Sequence, residues 1–551
     1  RRISPALLFV VGVVACIGAV FFTPQAFEGL SREVVYSVLA TTNFFFRHKV
    51  DYFGVSAEHS PLLHTWSLGV EEQFYLAFPI LMVLLGKRST TTKFVLLAVM
   101  AVVSFALCVW RTEVAQSSAF YLPMFRAWEF LIGVVLALAP ANIAAAQTTL
   151  RNVVSVGGVA LIAYAVLAFR DQTHFPGAMA LIPCAGAGMV IWANGGLKQT
   201  WAGAILSSPG FVFIGKISYS LYLWHWPILV IWKYLKGEPL TVLESCAAVS
   251  ASVVAAALTY YFIEQPFRQK KVFNTPPMLV AGAAVAASLI VAFGVYGDIS
   301  NGWPQRFPRY AMPVNDTNYR NHVCFLEDDD PPDHWAGDAC VLNPTGTRRV
   351  MLWGDSHAAH YTYGLGELAK NSDVAVVMYS SMACPPVFGA RVDESSMCRA
   401  AIDNMLSVME RYRADTVIIA ARWDLYFGKS VDAADVTQTI EALNRRGAKV
   451  ELVSQSPTYY FSSAYDYEFI THRTEAHVRF DSSLLRELRT VGGEHTFWEP
   501  TRKLCHGEIC AVSLNGHLIV NDDGHLTNYG SLMMAAPLLQ NLPAQRERAI
   551  H

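Results

Sequence analysis

"VMLWGDSHAAHY", residues 350–361, carries an apolar, β-like run straight into a Gly-Asp-Ser-His turn. Such a turn at the end of a strand exposes a serine hydroxyl at the carboxyl edge of a sheet, where open α/β sheets place their sites. The sequence after it repeats the pattern. "RVMLWGDS", "DVAVVMYS", "ADTVIIAARW" and "KVELVSQSP" are short, partly β-branched runs, separated by helical stretches around 397–412 and 434–446. That alternation predicts a mainly parallel sheet covered on both faces. A serine needs a base to attack a carbonyl at neutral pH, and the base needs an orienting carboxylate. "VNDDGHLTNYG", residues 520–530, offers both, with Asp522 three residues before His525. Alone, Gly-Asp-Ser and Asp-x-x-His are ordinary turn chemistry. Placed at the end of the first strand and just before the last helix, they make Ser356, His525 and Asp522 a candidate triad.

The sequence before residue 297 is of another kind. The chain is 53% hydrophobic and 16% charged, above and below soluble averages respectively. Charge is sparse up to about 297 and dense afterwards, with "CFLEDDDPPDH" marking the change. Apolar stretches near the ~20 residues that cross a bilayer fall at about 5–22, 67–86, 93–110, 120–139, 153–169, 177–194, 212–232, 243–263 and 278–296. Arg1, Arg2, Lys87, Arg88, Lys93, Arg151, Lys198, Lys216, Arg268, Lys270 and Lys271 gather at one set of ends, which the positive-inside rule makes cytoplasmic. Nine spans then place the serine outside. A net charge of −2 gives no electrostatic reason for a nucleic-acid partner.

Six of ten cysteines lie in the polar half. An even number at short separations fits an oxidising compartment, and Cys324–Cys340, Cys384–Cys398 and Cys505–Cys510 each close a short loop. No Cys-x-x-Cys pair supports a metal site, and none is expected. Cys16, Cys108, Cys184 and Cys246 lie in spans as small apolar packers.

Ionisable residues inside spans are costly, by about 2.5–3.5 kcal/mol each on insertion scales, and mark function by default. "HTWSLGVEEQFYL", residues 64–76, places Glu71 and Glu72 near the start of a span, with Ser67 one turn before Glu71. "GKISYSLYLWHWP", residues 215–227, carries Lys216, Ser218, Tyr222 and His225, the last three on one helical stripe. In "FRAWEFLIG", Arg126 and Glu129 stand at i, i+3, where a structural ion pair is as good a reading as a functional one.

These motifs resemble two known families. Gly354-Asp355-Ser356-His357 with Asp522-x-x-His525 resembles the SGNH hydrolase/acyltransferase family over about 320–545. The resemblance implies Ser356 as nucleophile, His525 as general base and Asp522 as its orienter. The family's usual Gly-x-Asn-Asp block is replaced by "AARWD", residues 420–424, so the oxyanion hole would need another donor, with Arg422 or the Trp423 indole as candidates. The glycine of the second block has no clear counterpart in "SSMACPP". "RRISPALL", "HTWSLGVEEQFYL", "FRAWEFLIG", "GKISYSLYLWHWP" and "YFIEQPFR" resemble the membrane-bound acyltransferase 3 family over 1–268.

Together the motifs resemble the fused subclass that O-acetylates bacterial surface glycans. The expected fold is a polytopic α-helical membrane domain (1–268), an additional span (269–300), a linker or extension (301–345) and a soluble α/β SGNH-type domain (346–551). The resemblance implies cytoplasmic acetyl-CoA as donor substrate, no permanently bound cofactor, and an acceptor that is a surface or lipid-linked polysaccharide such as O-antigen of lipopolysaccharide. It implies donor binding at Arg2 and acyl transfer at Glu71, Glu72, Lys216, Ser218, Tyr222 and His225. Ser67, Arg126, Glu129, Arg422 and Trp423 are possible supports. Family members begin with two further spans, the first with an Arg-x₁₀-His motif, which predicts roughly 60–80 residues before "RRISPALL". The expected location is the bacterial inner membrane with the C-terminal domain in the periplasm. A membrane-anchored glycan O-acetyl esterase is the alternative, and a transporter or scaffold with a vestigial SGNH fold a third reading.

Overall fold

The computed structural model describes residues 3–49, 59–138, 148–170, 173–195, 199–273, 275–308, 320–327, 330, 334–392, 396–479, 481–493 and 497–540. By contacts the chain separates into two units, Arg1–Leu235 with Leu240–Met312, and Lys236–Pro239 with Pro313–His551.

The first unit is helical. Its helices are α1 (Ser4–Phe21), α2 (Pro24–Val38), α3 (Thr42–Lys49), α4 (Thr65–Leu85), α5 (Thr90–Val114), α6 (Gln116–Tyr121), α7 (Pro123–Leu138), α8 (Thr148–Ala168), α9 (Leu181–Asn194), α10 (Trp201–Leu206), α11 (Pro209–Lys236), α12 (Val242–Thr259), α13 (Gln265–Arg268) and α14 (Pro276–Ile299). A π-helical turn, Tyr260–Glu264, joins α12 to α13. Each of the nine apolar stretches is therefore a helix, and six are both long and apolar enough to cross a membrane: Ser4–Phe21, Thr65–Leu85, Thr90–Val114, Thr148–Ala168, Val242–Arg268 and Pro276–Ile299. The other three differ for physical reasons. At 1.5 Å per residue, α7 and α9 reach only about 24 and 21 Å against the roughly 30 Å of hydrocarbon. Helix α11 is 28 residues long, but its polar residues dilute its apolar character.

Helix α2 was not among the apolar stretches, because Glu28, Arg32 and Glu33 interrupt it. Thr23 caps it and Pro24 opens it, as both residue types favour. It packs on α14 through small residues. A Cβ added at Gly297 would lie 2.3 Å from Ser31 Oγ, and one at Gly294 2.9 Å from Ser31 O, so the two glycines permit the close approach. The buried Glu33 accepts a hydrogen bond from the Leu62 backbone N–H at 3.0 Å, and Arg32 pairs with Asp298 at 2.6 Å. The charges of α2 are spent on packing and pairing within the unit.

The second unit is α/β. Strands β1 (Phe325–Leu326), β2 (Val341–Leu342), β3 (Arg348–Gly354), β4 (Val374–Ser381), β5 (Thr416–Ala420), β6 (Lys449–Val453), β7 (Thr458–Tyr459), β8 (Glu475–Arg479) and β9 (Phe497–Trp498) follow in chain order. The main sheet has the order β1-β4-β3-β5-β6-β9, parallel throughout, with β2 antiparallel on β4. Its central strands are buried on both faces. Met351, Trp353, Val377, Val417 and Ile419 join one core with helix Met397–Tyr412, while Val350, Leu352, Val376 and Ile418 join another with helix Asn528–Gln540. Two-sided burial is why these strands read as continuous apolar runs.

Gly354 ends β3 in register with Ser380 of β4 and Ala420 of β5. A Cβ there would stand 1.8 Å from the Ala420 carbonyl oxygen, so glycine is required for the strand to turn out of the sheet. Within the expected linker or extension, β1 and β2 pair with β4. All three expected disulfides are formed. Cys384–Cys398 ties the loop after β4 to the start of helix Met397–Tyr412. By the chain-entropy estimate, the separations of 16 and 14 residues at Cys324–Cys340 and Cys384–Cys398 contribute about 3 kcal/mol each, and the separation of 5 at Cys505–Cys510 about 2.

Candidate active site

Ser356 begins a one-turn helix, Ser356–Ala359, directly after β3. Its Oγ lies 2.8 Å from His525 Nε2. His525 Nδ1 in turn lies 3.0 and 2.9 Å from the two Asp522 oxygens. Asp522 also accepts the backbone N–H groups of Gly524 (3.0 Å) and His525 (2.8 Å), so the carboxylate shapes the turn that carries the imidazole. Burial alone would raise the Asp522 pKa. The His525 charge and these hydrogen bonds outweigh it, and the carboxyl stands at about 2. Burial depresses the His525 imidazole, but the charge and hydrogen bond of Asp522, with Asp523 behind, leave it above its ordinary value.

Asp355 holds the nucleophile's turn together from beneath. Only 1% exposed, it accepts the backbone N–H of His357 (2.8 Å), the backbone N–H of Arg422 (3.0 Å) and the Tyr426 hydroxyl (2.7 Å). One carboxylate thereby caps the helix and ties β3 to the segment after β5. Burial raises its pKa, an effect these three donors oppose. His357 and His360 lie deeper. The His357 ring is buried 5.0 Å from that of His525, and burial holds both residues neutral, well below the usual histidine range. A Cβ on Gly524 would come within 3.0 Å of His357 Cε1. Glycine at 524 and the ring of His357 are thus fitted to each other under the Asp522–His525 turn.

The residues open onto a cavity of about 640 Å³ lined by Ser356, Met382, Ala383, Arg422, Asn521 and His525, among others. Asp522, Asp523 and His525 are the one group among the described residues whose donor atoms lie close enough to share a metal ion. Each already has a protein partner: Asp522 and His525 hold each other, and Asp523 holds Arg422 at 2.8 Å.

In the helical unit, Ser67 Oγ of α4 lies 2.6 Å from the Tyr222 hydroxyl of α11. That hydroxyl also donates to the His64 carbonyl, and His225 Nδ1 lies 2.7 Å from the Tyr222 carbonyl. The rings of His64 and His225 are 5.7 Å apart. His64 is thus part of the cluster, although by sequence it stands at a span boundary and only His225 within a span. Ser218, one turn earlier, donates to its own helix at Gly215 O, and Lys216 is exposed. On the continuous helix α11, Ser218 shares the stripe of Tyr222 and His225. Glu71 and Glu72 are half-buried and within electrostatic reach of Tyr219, as is Glu264. Glu264, only 1% exposed, accepts from Ser220 and pairs with Arg268, both at 3.3 Å. Its place in "YFIEQPFR" was the available signal for it. Arg126 and Glu129 pair at 3.1 Å, with the guanidinium beside the rings of Trp66, Phe120 and Phe175. Arg2, like Arg1 and Lys198, lies outside the described residues.

Residues 1–297 match the acyltransferase domain family, and residues 323–540 match the SGNH domain that is fused to such domains. The chain belongs to the acyltransferase 3 family, in its SGNH-fused form. Among similar proteins, BcsY of Komagataeibacter xylinus, provisionally named a membrane-bound transacylase, is 29% identical over 48% of the chain and 66% of its own length. O-acetyltransferase OatA of Staphylococcus aureus is 29% identical over 49% of the chain and 46% of its own length. The chain thus spans about half to two thirds of the curated relatives it matches. Among solved structures, the periplasmic domain of a lipopolysaccharide acetyltransferase from Salmonella ser. Paratyphi A is 16% identical, matching 40% of the chain and 92% of that domain with a TM-score of 0.33.

Against the SGNH pattern, the segment after β5 is rebuilt. The Trp423 indole, offered above as an oxyanion donor, is fully buried and donates to the Val453 carbonyl at 2.9 Å. It is a core residue, because the turn after Ala420 sends alternate side chains inward. Arg422 does line the cavity, with its guanidinium held by Asp523. In "SSMACPP", Ala383 adopts a left-handed φ of 48° and lines the cavity, a conformation that costs a non-glycine residue about 1–2 kcal/mol.

Proposed function

We propose that this protein is an O-acyltransferase that moves an acetyl group from cytoplasmic acetyl-CoA to a hydroxyl of a surface or lipid-linked polysaccharide, of which O-antigen is one, and that Ser356 completes the transfer. The observation that carries this is the Ser356–His525–Asp522 chain of hydrogen bonds at one end of the parallel sheet, in a chain whose other half is a membrane acyltransferase domain. The names of BcsY and OatA support the same chemistry.

In the reaction, Ser356 Oγ attacks the acyl carbonyl as His525 Nε2 takes its proton. The backbone N–H of Ser356 and the Arg422 guanidinium, which lines the cavity, serve as donors to the oxyanion. Preorganised donors of this kind are worth 10²–10³ in rate each. His525 gives the proton to the donor's leaving group as the acyl-serine forms; it then takes the proton of the attacking glycan hydroxyl and passes it to Ser356 Oγ as the acyl–Oγ bond breaks, which restores the serine. In the membrane domain, Glu71, Glu72, Lys216, Ser218, Tyr222 and His225, with His64 and Ser67 beside the last two, are the residues for acyl transfer, while Arg2 serves the CoA side.

An esterase would use the same triad with water as acceptor. Acetyl transfer from labelled acetyl-CoA in membranes decides between them. We expect label in surface polysaccharide, and free acetate with no labelled glycan would make the protein an esterase. The proposed inner-membrane location with a periplasmic C-terminal domain is tested separately. A reporter fused after residue 300 should be active only outside the cytoplasm, and the six cysteines of the second unit should resist thiol reagents until reduced. Labelling of four or more of them in native protein would overturn the placement.

A further inference from the structure

Along the sheet from the Ser356 cavity, beyond β5 and β6, lies a second cavity of about 470 Å³, lined by Asp424, Gln455, Tyr460, Arg479, Asp481 and Leu484 among others. A volume of this order is that of a small-molecule site. The two cavities open from the loops that follow adjacent strands: Ser356 follows β3, Arg422 and Asp424 follow β5, and Gln455 follows β6. Asp424 forms the wall of one and Arg422 of the other, and the two side chains meet at 3.5 Å. The triad uses none of the second cavity's residues.

Its polar groups are held in place by the protein. The Asp424 backbone N–H donates to Gln455 Oε1 at 2.7 Å, and Gln455 Nε2 donates to Thr458 Oγ1 at 2.8 Å, so the amide bridges the loops after β5 and β6. Asp481 caps helix Ser482–Gly492, accepting from the Ser483 and Leu484 backbone N–H groups at 2.9 and 3.1 Å. The Arg479 guanidinium lies 5.0 Å from the centre of the Tyr460 ring. Buried Leu484 and Leu488 add an apolar side. Carboxylate acceptors, guanidinium donors, an aromatic ring and an apolar wall in one cavity match a pyranose, whose hydroxyls both donate and accept and whose C–H edges are apolar. Two carboxylates against one guanidinium disfavour a phosphate or uronate.

We propose that this cavity binds an uncharged sugar unit of the acceptor glycan, holding a neighbouring residue of the chain while the hydroxyl to be acylated enters the Ser356 cavity. The proposal rests on the transferase reading and adds to it the site and charge class of the acceptor. A glycan so bound would lie across Asp424, and the acylated position would be set by its distance from the sugar that occupies the second cavity.

The test uses the full-length protein in detergent. Binding is measured calorimetrically to Ser356→Ala protein with methyl glycosides and short oligosaccharides of glucose, galactose, mannose, rhamnose and N-acetylglucosamine, and with oligogalacturonate. At least one neutral oligosaccharide should bind, and Tyr460→Ala or Arg479→Gln should weaken it tenfold or more at an unchanged melting temperature. With p-nitrophenyl acetate as acyl donor to the otherwise wild-type enzyme, the same variants should raise the half-saturating concentration of that oligosaccharide tenfold while leaving the rate at saturation within twofold. Failure of every neutral sugar to bind, tighter binding of oligogalacturonate, or an equal loss of rate at saturation would overturn the subsite. Binding that is intact and sensitive to Tyr460, with no Ser356-dependent transfer, would leave the sugar site standing and overturn the transferase reading instead.

Discussion

Ser356→Ala reduces acyl transfer to glycan to the background, a loss on the order of 10⁶ if the triad acts as a unit. The hydroxyl is the group that must form the acyl bond, and its place at the end of β3 is fixed by Gly354, whose Cβ position is filled by the Ala420 carbonyl. That hydroxyl lies 2.8 Å from His525 Nε2. The variant should insert in membranes and melt as the wild type does, because removing one oxygen that faces a cavity leaves the cores of the second unit intact. Labelled glycan at the wild-type level in this variant would mean that the membrane domain acylates the acceptor by itself.

Asp522→Asn costs less, on the order of 10⁴ at the plateau, and moves the pH profile in a direction that the geometry sets. The base must be neutral to accept the serine proton, so the rate falls as pH falls through the pKa of His525. In the wild type that pKa is held above the ordinary histidine value by the Asp522 carboxylate, against the effect of burial. Removing the charge lowers it, and the acid limb of kcat/KM shifts to lower pH even as the plateau drops. Rates of acetyl-ester cleavage between pH 5 and 9 measure both. An acid limb that stays in place or moves to higher pH would assign the base to another group. His357 is not a substitute, because it is buried beneath Gly524, and burial lowers its pKa so far that it is a poor proton acceptor.

The relation between sequence and structure differs from one half of the chain to the other. In the α/β half, the apolar runs at 349–354, 374–380, 416–420 and 449–453 are strands, and their shortness, β-branched content and alternation with helical stretches made them legible. The disulfides were legible from loop length in the same way. Ser356, Asp522 and His525 were legible because a nucleophile, its base and the orienting carboxylate each need one residue type at one kind of place in such a sheet. Trp423 shows the limit. Its position after β5 suggested a donor to the site, but whether a side chain after a strand points into a cavity or a core depends on the turn's dihedrals, and here the indole is satisfied by Val453. Asp355 reads as an ordinary turn residue, yet it holds His357, Arg422 and Tyr426 through contacts spanning up to 71 residues.

In the membrane half, hydropathy located nine helices but could not find α2, whose charges conceal a helix that packs through Ser31 against two glycines more than 260 residues away. Nor could it join His64, which precedes α4, to His225 of α11, since the two are far apart in the chain and only the tertiary structure brings their rings to 5.7 Å. Composition, periodicity and motif spacing by themselves determined which segments are apolar helices, which form the sheet, and which residue types stand at the ends of its strands, because those follow from local patterns of burial and backbone hydrogen bonding. Only the tertiary structure decided which polar groups meet, which are spent on the core, and where the cavities lie, because those depend on distances between residues far apart in the chain.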